Sequence, residues 1–491
     1  MSKSACGRAE GSCGDREPMK ERQMPSSIIE KLKQEVGAGK VITNSQLLND
    51  RRHDYWVLSQ LEDLQDRGAP RPACIVQPTE TKDVISVVNA CRETSTPLVP
   101  FGLGSGVCGG IKVDPATVLL DMSSMNRVLR IDVDNLLATF EAGLRGADAE
   151  AALAKRGLML GHYPQSMDVS SVGGWVATRS AGQFSTAYGN IEDILLGLEV
   201  VLPNGKVLET RLTPRASTGP DLRQLFLGSE GTLGVITSVT FSVRWQPEKR
   251  DYSVYYLPNM DAGFDLQRAI IQSGWTPPVM RQYDTSEAWR LFPDQAKGDG
   301  ALLLLVHEGP AARVETEKAA CAALAAEAHG EAGPVAAGEK WMAERNEVPT
   351  FESFLKKGVI LDTIEIAATW DRIRPIYRDV VASLSEVENI LNASAHSSHA
   401  YRSGINLYFT FAARPDDSKD MARTYEECWR RTLEATAANG GGISHHHGIG
   451  RLRRDWMRRE LGATGVELLR SIKHALDPTN FMNPGVLIPN E

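Results

Sequence analysis

The sequence predicts an α+β chain of more than one domain, on three observations. At 491 residues the chain is long for a single domain. Its 42% hydrophobic and 24% charged residues match an ordinary globular protein rather than a disordered one. Its short apolar strand-like runs appear both beside helical periodicities and as hairpins, so its sheets are mixed.

The elements follow in order. Residues 1–26 are rich in Gly, Ser, Lys and Glu and read as a tail too poor in apolar groups to order itself. Cys74 to Gln77 reads as a strand, Thr81 to Glu93 as a helix, and Leu98 to Pro100 as a strand that runs into a glycine loop. Val118 to Asp121 and Leu137 to Glu141 are further strands, and Ala147 to Arg156 is a helix. Pro203-Asn204-Gly205 is a hairpin turn between strands Leu195 to Leu202 and Val207 to Thr210. The texture changes after Trp245, so a first domain over 27–245 gives way to a second over 246–439. There Tyr252 to Tyr256 and Ala301 to His307 are strands, and the alanine-rich stretch Val314 to Ala328 is a helix. Residues 440–491 pass from a glycine loop through histidines into a helix around Val466 to Leu476.

Charge and cysteine usage exclude several classes. With 54 Lys and Arg against 62 Asp and Glu, the net charge is −8, which leaves no basic footprint for nucleic acid. The seven cysteines are scattered, with no C-x-x-C pair or zinc spacing, which fits a reducing compartment. Met1 to Gln23 lacks the apolar core of a signal peptide, and the longest aliphatic run, Leu302 to Val306, is far too short to span a bilayer. The expectation is a cytoplasmic protein.

Two motifs stand out. Pro100-Phe101-Gly102-Leu103-Gly104-Ser105-Gly106-Val107-Cys108-Gly109-Gly110 holds five glycines, which let backbone N–H groups approach an anion without obstruction from a Cβ. No Gly-Lys-Ser/Thr follows, so it is not a Walker loop. The second is Ser444-His445-His446-His447-Gly448. With ten histidines in 491 positions, three in a row arise by chance about once in two hundred such chains, so the tract asks for a chemical reason.

Further blocks carry a resemblance. They are Gly161-His162-Tyr163-Pro164, Ser170 to Ser180, Tyr188 to Asp193, and Gly228-Ser229-Glu230-Gly231-Thr232-Leu233-Gly234-Val235-Ile236-Thr237. With the glycine loop before them, they resemble the FAD domain of the vanillyl-alcohol oxidase/p-cresol methylhydroxylase flavoprotein superfamily. That resemblance implies a two-subdomain FAD-binding domain (PCMH-type), a mixed α/β substrate-cap domain, and a C-terminal segment that returns to the FAD site. It implies FAD contacts at Pro100, Phe101, Gly102, Leu103, Gly104, Ser105 and Gly106 for the pyrophosphate. Ser166, Ser170, Ser171, Gly174, Thr178, Arg179 and Ser180 would line the ring, and Glu230, Gly231, Gly234, Val235 and Ile236 the adenosine side and ring. No histidine lies in Pro100 to Gly110, so the FAD is expected to be non-covalent.

Most of the chain resembles the alkyldihydroxyacetonephosphate synthases, through Gly161-His162, Val172 to Thr178, Ser217 to Asp221, Trp370-Asp371-Arg372, Tyr408-Phe409 and Gly441 to Trp456. That family exchanges the acyl group of acyl-dihydroxyacetone phosphate for a fatty alcohol through a flavin N5 adduct, in ether-lipid synthesis. The resemblance implies Tyr408 as acid/base, with His162, Arg281, His445, His446 and His447 as its catalytic companions. Tyr408 and Thr410 should share one face of a strand. Protonated His445 to His447 are expected to help the phenol ionise. The expected partners are a small-molecule or lipid-like substrate and a second copy in a homodimer, and a peripheral membrane contact stays open, because amphipathic surface helices need no long apolar run.

The alternative is an FAD-dependent D-2-hydroxy-acid dehydrogenase or oxidase of the same superfamily. Many of those carry two histidines and a glutamate for a divalent metal. Here Tyr408 occupies the second histidine position and His446 the glutamate position, so no metal is expected. His399, His445 and His447 are the set left to build a different site.

Overall fold

A computed structural model describes residues 26–489 except 66, 69 and 349. The expected tail over 1–26 lies, but for its last residue, outside the described residues.

The chain opens with a four-stranded sheet in the order Val41–Ile42, Cys74–Val76, Val118–Asp121, Leu98–Phe101. Its last three strands are parallel. Strands buried on both faces read as continuous apolar runs, and Cys74, Ile75, Val76, Leu119 and Leu120 are all buried. Helices Ser26–Val36 and Thr81–Glu93 cover one face through Ile28, Leu32, Val84, Val87 and Cys91. The parallel arrangement delivers the glycine loop at the carboxyl end of Leu98–Phe101, where open α/β sheets bind ligands.

A five-stranded antiparallel sheet follows, in the order Val128–Asp132, Leu137–Glu141, Val235–Ser242, Leu195–Val201, Val207–Glu209. The hairpin between its last two strands turns at Gly205, whose φ is +77°. Helices Gly146–Ala154 and Val172–Thr178 pack their Ala149, Leu153, Val172 and Trp175 on Phe140 and Val239 of this sheet.

The second half of the chain forms a seven-stranded antiparallel sheet. Its order is Glu331–Ala332, Lys249–Leu257, Ala301–Gly309, Val279–Tyr283, Ile390–Ser397, Gly404–Ala413, Ile360–Thr369. Successive side chains point to opposite faces, and here both faces are covered. Leu303 and Leu305 pack with Ile270, Ile271 and Cys321 of the outer helices Met260–Gln272 and Ala311–Glu327. Leu302, Leu304 and Val306 pack on the opposite side with Phe184, Ile194 and Leu198 of the first half. The aliphatic run from Leu302 to Val306 is therefore a central strand with two buried faces.

Further along the sheet the same alternation turns polar on the inner face. Leu407, Phe409 and Phe411 join the outer core with helices Ile373–Ser385 and Met421–Ala438, which leaves Tyr408 and Thr410 on the inward side. The C-terminal segment then crosses back. Leu98 donates its N–H to Phe481 and accepts that of Asn483, and the Lys473 ammonium reaches the Thr232 carbonyl. No helix is long and apolar enough to cross a membrane among the described residues.

Candidate active site

Five stretches far apart in sequence converge: the glycine loop, the block around Glu230, the inner face of the large sheet, the histidine tract and the last turns of the chain. Glu230 sits at their junction. It holds a φ of +49°, and its carboxylate accepts the N–H groups of Ile449 at 2.7 Å and Gly450 at 2.9 Å. Asn483 donates to the carbonyls of Gly110 at 3.0 Å and Glu230 at 2.7 Å. Arg451 and Leu452 donate their N–H groups to the Cys108 carbonyl.

The glycine loop fits a pyrophosphate. The N–H groups from Leu103 to Gly109 find no acceptor among the described residues; Cys108 and Gly109 are buried among them, where backbone donors are otherwise almost always paired. A Cβ on Gly102 would lie 2.5 Å from Ser171 Oγ, and one on Gly231 3.0 Å from Pro100. These close approaches bring the three expected cofactor blocks together. Asp54 fixes the far end of the loop: its carboxylate accepts the Gly110 N–H at 2.8 Å, and Tyr55 N–H donates to Gly106. Burial pushes the Asp54 carboxyl up to about 7 against those backbone donors.

The other expected cofactor residues divide. Ser171 caps helix Val172–Thr178 by accepting the Gly174 N–H, and Ser170 accepts the Trp175 indole N–H at 2.7 Å. Ser180 bonds His162, and Thr178 bonds back to the Gly174 carbonyl. Gly234 lets two backbones close, since its Cβ would meet the Val201 carbonyl at 2.9 Å. Val235 and Ile236 are buried in the sheet ladder opposite Val201 and Val200. Arg179 is half-exposed, in a left-handed conformation, and pairs with Glu192 rather than with the loop. Among the described residues, Ser166 accepts only the Val169 N–H, at its carbonyl.

Tyr408 lies on a row that the sheet dictates. Cross-strand register sets Tyr283 beside His396, His396 beside Tyr408, and Tyr408 beside Glu365. His396 stacks on Tyr408 with centroids 4.8 Å apart and planes 8° from parallel. The Tyr408 hydroxyl meets His446 Nε2 in a short hydrogen bond and lies 3.4 Å from His447 Nε2. His445 Nε2 bonds the Tyr401 hydroxyl at 2.7 Å, and His399 Nδ1 bonds Ser185 Oγ at 2.6 Å. His162 is buried, with its Nε2 3.0 Å from Ser180 Oγ, its ring on Trp175 and its Nδ1 without a partner.

Glu365 organises the tract. Its Oε1 accepts the backbone N–H groups of His445, His446 and His447 at 3.2, 3.0 and 2.7 Å, and the Ser444 hydroxyl at 3.0 Å. The fully buried Arg453 pairs with the same carboxylate and lies over the Trp429 ring. Burial would raise Glu365, but Arg453, His447 and the backbone donors overcome it and bring the carboxyl down to about 2. Sequence reasoning did not single out Glu365, Arg453, His396 or Asp54.

Two expectations are corrected. Burial pushes His445 down to about 4 and His446 well below its ordinary value, and it lowers His447. These are neutral imidazoles at pH 7, not the cations expected to ionise Tyr408. Burial also raises the Tyr408 phenol above its ordinary range, with Glu365 adding to the effect. The histidines that converge are His399, His445 and His446, with ligand atoms within 4.8 Å of one another, rather than the set ending in His447. Cys108 is a buried, packed thiol held well above its ordinary value by burial.

Comparisons with known proteins identify the family. Residues 72–211 match the FAD binding domain family, and residues 246–487 match the C-terminal domain of FAD linked oxidases. The chain is 32% identical to the uncharacterized FAD-linked oxidoreductase YgcU of Escherichia coli K12, covering 95% of this chain and 99% of that protein. It is 30% identical to the alkyldihydroxyacetonephosphate synthase of Trypanosoma brucei brucei, covering 85% of this chain and 73% of that one. A solved alkyldihydroxyacetonephosphate synthase superposes with a TM-score of 0.79 at 25% identity, covering 95% of this chain and 86% of the other. The orphaned loop donors, the glycine-cleared approaches and these matches lead to one conclusion: the chain belongs to the FAD-linked oxidase family, with a PCMH-type fold and FAD as its cofactor.

Proposed function

We propose that this enzyme is of the alkyldihydroxyacetonephosphate synthase type, exchanging the acyl group of an acyl-dihydroxyacetone phosphate for a fatty alcohol without net redox change. The observation that carries the reading is the Tyr408 hydroxyl held against His446 Nε2, with His447 Nε2 3.4 Å away. A phenol paired with a neutral imidazole is a two-member base. Tyr408 oxygen takes a proton from the carbon beside the ketone while its own proton passes to His446 Nε2. The same pair returns a proton after the carboxylate has left and the alcohol has added.

The bound FAD supplies an electrophilic ring that can share the electron pair released by such a deprotonation. It would be held non-covalently by Leu103 to Gly109, Ser171 and Gly231. Arg281 supplies positive charge for the phosphate. Its Nε donates to the Tyr283 hydroxyl at 3.0 Å and its guanidinium lies over the Tyr283 and Trp341 rings. No carboxylate pairs with it among the described residues. His162, with a free Nδ1 beside Trp175, is placed to bond the ring or the substrate.

A second reading, a D-2-hydroxy-acid dehydrogenase or oxidase, is favoured by the convergence of His399, His445 and His446 and by the family's oxidoreductase members. One experiment separates them. The holoenzyme, given acyl-dihydroxyacetone phosphate and hexadecanol without an electron acceptor, should release fatty acid and form the ether. Anaerobic bleaching of the flavin by D-lactate or D-glycolate, with no ether formed, would replace the first reading by the second.

A further inference from the structure

The row across the large sheet contains a histidine that the proposed proton transfer does not use. His396 lies between Tyr283 and Tyr408, with centroids 5.6 and 4.8 Å away. Behind its ring is Glu287, which is 0% exposed. Glu287 Oε2 lies 3.3 Å from His396 Nδ1, within ion-pair reach, and 2.9 Å from Arg290 Nη2. Its Oε1 accepts the Ser394 hydroxyl at 3.0 Å. A carboxylate behind one ring nitrogen fixes the imidazole's orientation and favours its charged form. The opposite nitrogen, Nε2, has no hydrogen bond among the described residues.

Arg281 stands on the neighbouring strand with no acidic partner among the described residues. Its Nε is spent on Tyr283, which leaves the terminal N–H groups unspent. A guanidinium with free donors beside an imidazole backed by a carboxylate is a construction for holding an oxyanion. The surrounding charge agrees. Arg281 and Arg290 both act on the His396 ring, and Glu287 is the carboxylate that opposes them. Asp284, the next acid, spends its oxygens on the N–H groups of Glu287 and Ala395. With His396 neutral, Arg281, Arg290 and Glu287 sum to one positive charge, which a monoanion balances; a dianion balances them once His396 takes up a proton.

We infer that His396 is the second cation of an anion-binding subsite beside Arg281, one that takes the phosphate monoester or carboxylate of the substrate, with Glu287 as its positioning residue. This deepens the proposed function by naming how the head group is held, and it does not depend on which reaction follows. Burial keeps the imidazole below its ordinary value in the free site, with Arg281 and Arg290 adding to that and Glu287 opposing it. An anion must therefore bring a proton with it. Tyr283, Tyr408, His399 and His445 to His447 are the other titratable groups near the ring, and the experiment has to separate His396 from them.

The test uses the FAD-loaded enzyme and two probes that do not titrate near neutrality: sulfate for a phosphate monoester and oxalate for a carboxylate. Neither is turned over, so the outcome is independent of the synthase reading. Binding is followed by the flavin absorbance change, and proton uptake is measured in weak buffer. The wild-type protein should take up about one proton per anion, with affinity rising roughly tenfold for each unit of pH between 8 and 6. His396→Asn should bind at least tenfold more weakly at pH 6 and lose the slope while keeping its flavin spectrum. His396→Gln serves if that variant loses FAD. Arg281→Lys should weaken binding and keep the slope. Tighter sulfate than oxalate assigns a phosphate, and the reverse assigns a carboxylate. Binding without proton uptake, a slope that survives in the His396 variants, or no binding of either probe overturns the proposal.

Discussion

Glu365→Gln is the perturbation whose consequences the structure fixes most tightly. The native carboxylate gathers three consecutive backbone N–H groups, the Ser444 hydroxyl and the Arg453 guanidinium. Its carboxyl falls from 4.5 to about 2, and at about 1.4 kcal/mol per unit this is a stabilisation of roughly 3 kcal/mol. The sign follows from the depressed value. The stabilisation is present above pH 4.5 and is lost as the pH falls through about 2. Glutamine also strands Arg453, which is 0% exposed, and breaking a buried pair costs about 3–5 kcal/mol. Equilibrium urea denaturation of the holoprotein should therefore show a loss of about 3–5 kcal/mol. The double variant Glu365→Gln with Arg453→Met removes the stranded charge and should recover most of the stability. It should not recover turnover, because the histidine tract has lost its anchor. A single-variant loss below about 1 kcal/mol, or wild-type turnover in the double variant, would refute the reasoning.

Three further outcomes are expected. Tyr408→Phe keeps flavin absorbance and lowers turnover by about 10²-fold or more, and His446→Ala does the same, read by steady-state kinetics on flavin-matched protein. Acid should open the histidine loop. His445 moves from 6.5 to about 4, so stability is intact above pH 6.5 and declines as pH falls from there through about 4, by about 1.4 kcal/mol per unit for each buried imidazole. Flavin release against pH measures this, and retention of FAD down to pH 4 would contradict it. Asp54→Ala strands the Gly110 and Ile111 N–H groups, and at about 1–3 kcal/mol for such a loss FAD affinity should fall about tenfold or more, read by quenching of flavin fluorescence.

The parts legible in the sequence are those carried by local pattern. The Leu302 to Val306 run reads as a strand because both its faces are buried, against the outer helices and against the first half of the chain. Alternation places Tyr408 and Thr410 together, and the glycine loop shows itself because a backbone that approaches an anion cannot carry Cβ atoms. What was not legible depends on partners distant in the chain. Glu365 acts on residues 79 to 88 positions away, and Glu230 on residues 219 and 220 positions away. An acid in a strand such as Ile360–Thr369, which also carries Asp362, gives no sign of that task. The charge of the histidine tract was misjudged for a related reason. Three adjacent imidazoles suggest positive charge, but only the folded enclosure shows that burial keeps them neutral.

The most direct measurement of the Tyr408–His446 assignment is hydrogen exchange at the substrate carbon beside the ketone. The holoenzyme is incubated in D₂O with acyl-dihydroxyacetone phosphate, with neither alcohol nor electron acceptor. Wild-type protein should incorporate deuterium there, and Tyr408→Phe with full flavin content should not. Exchange at the wild-type rate in Tyr408→Phe would show that another group takes the proton.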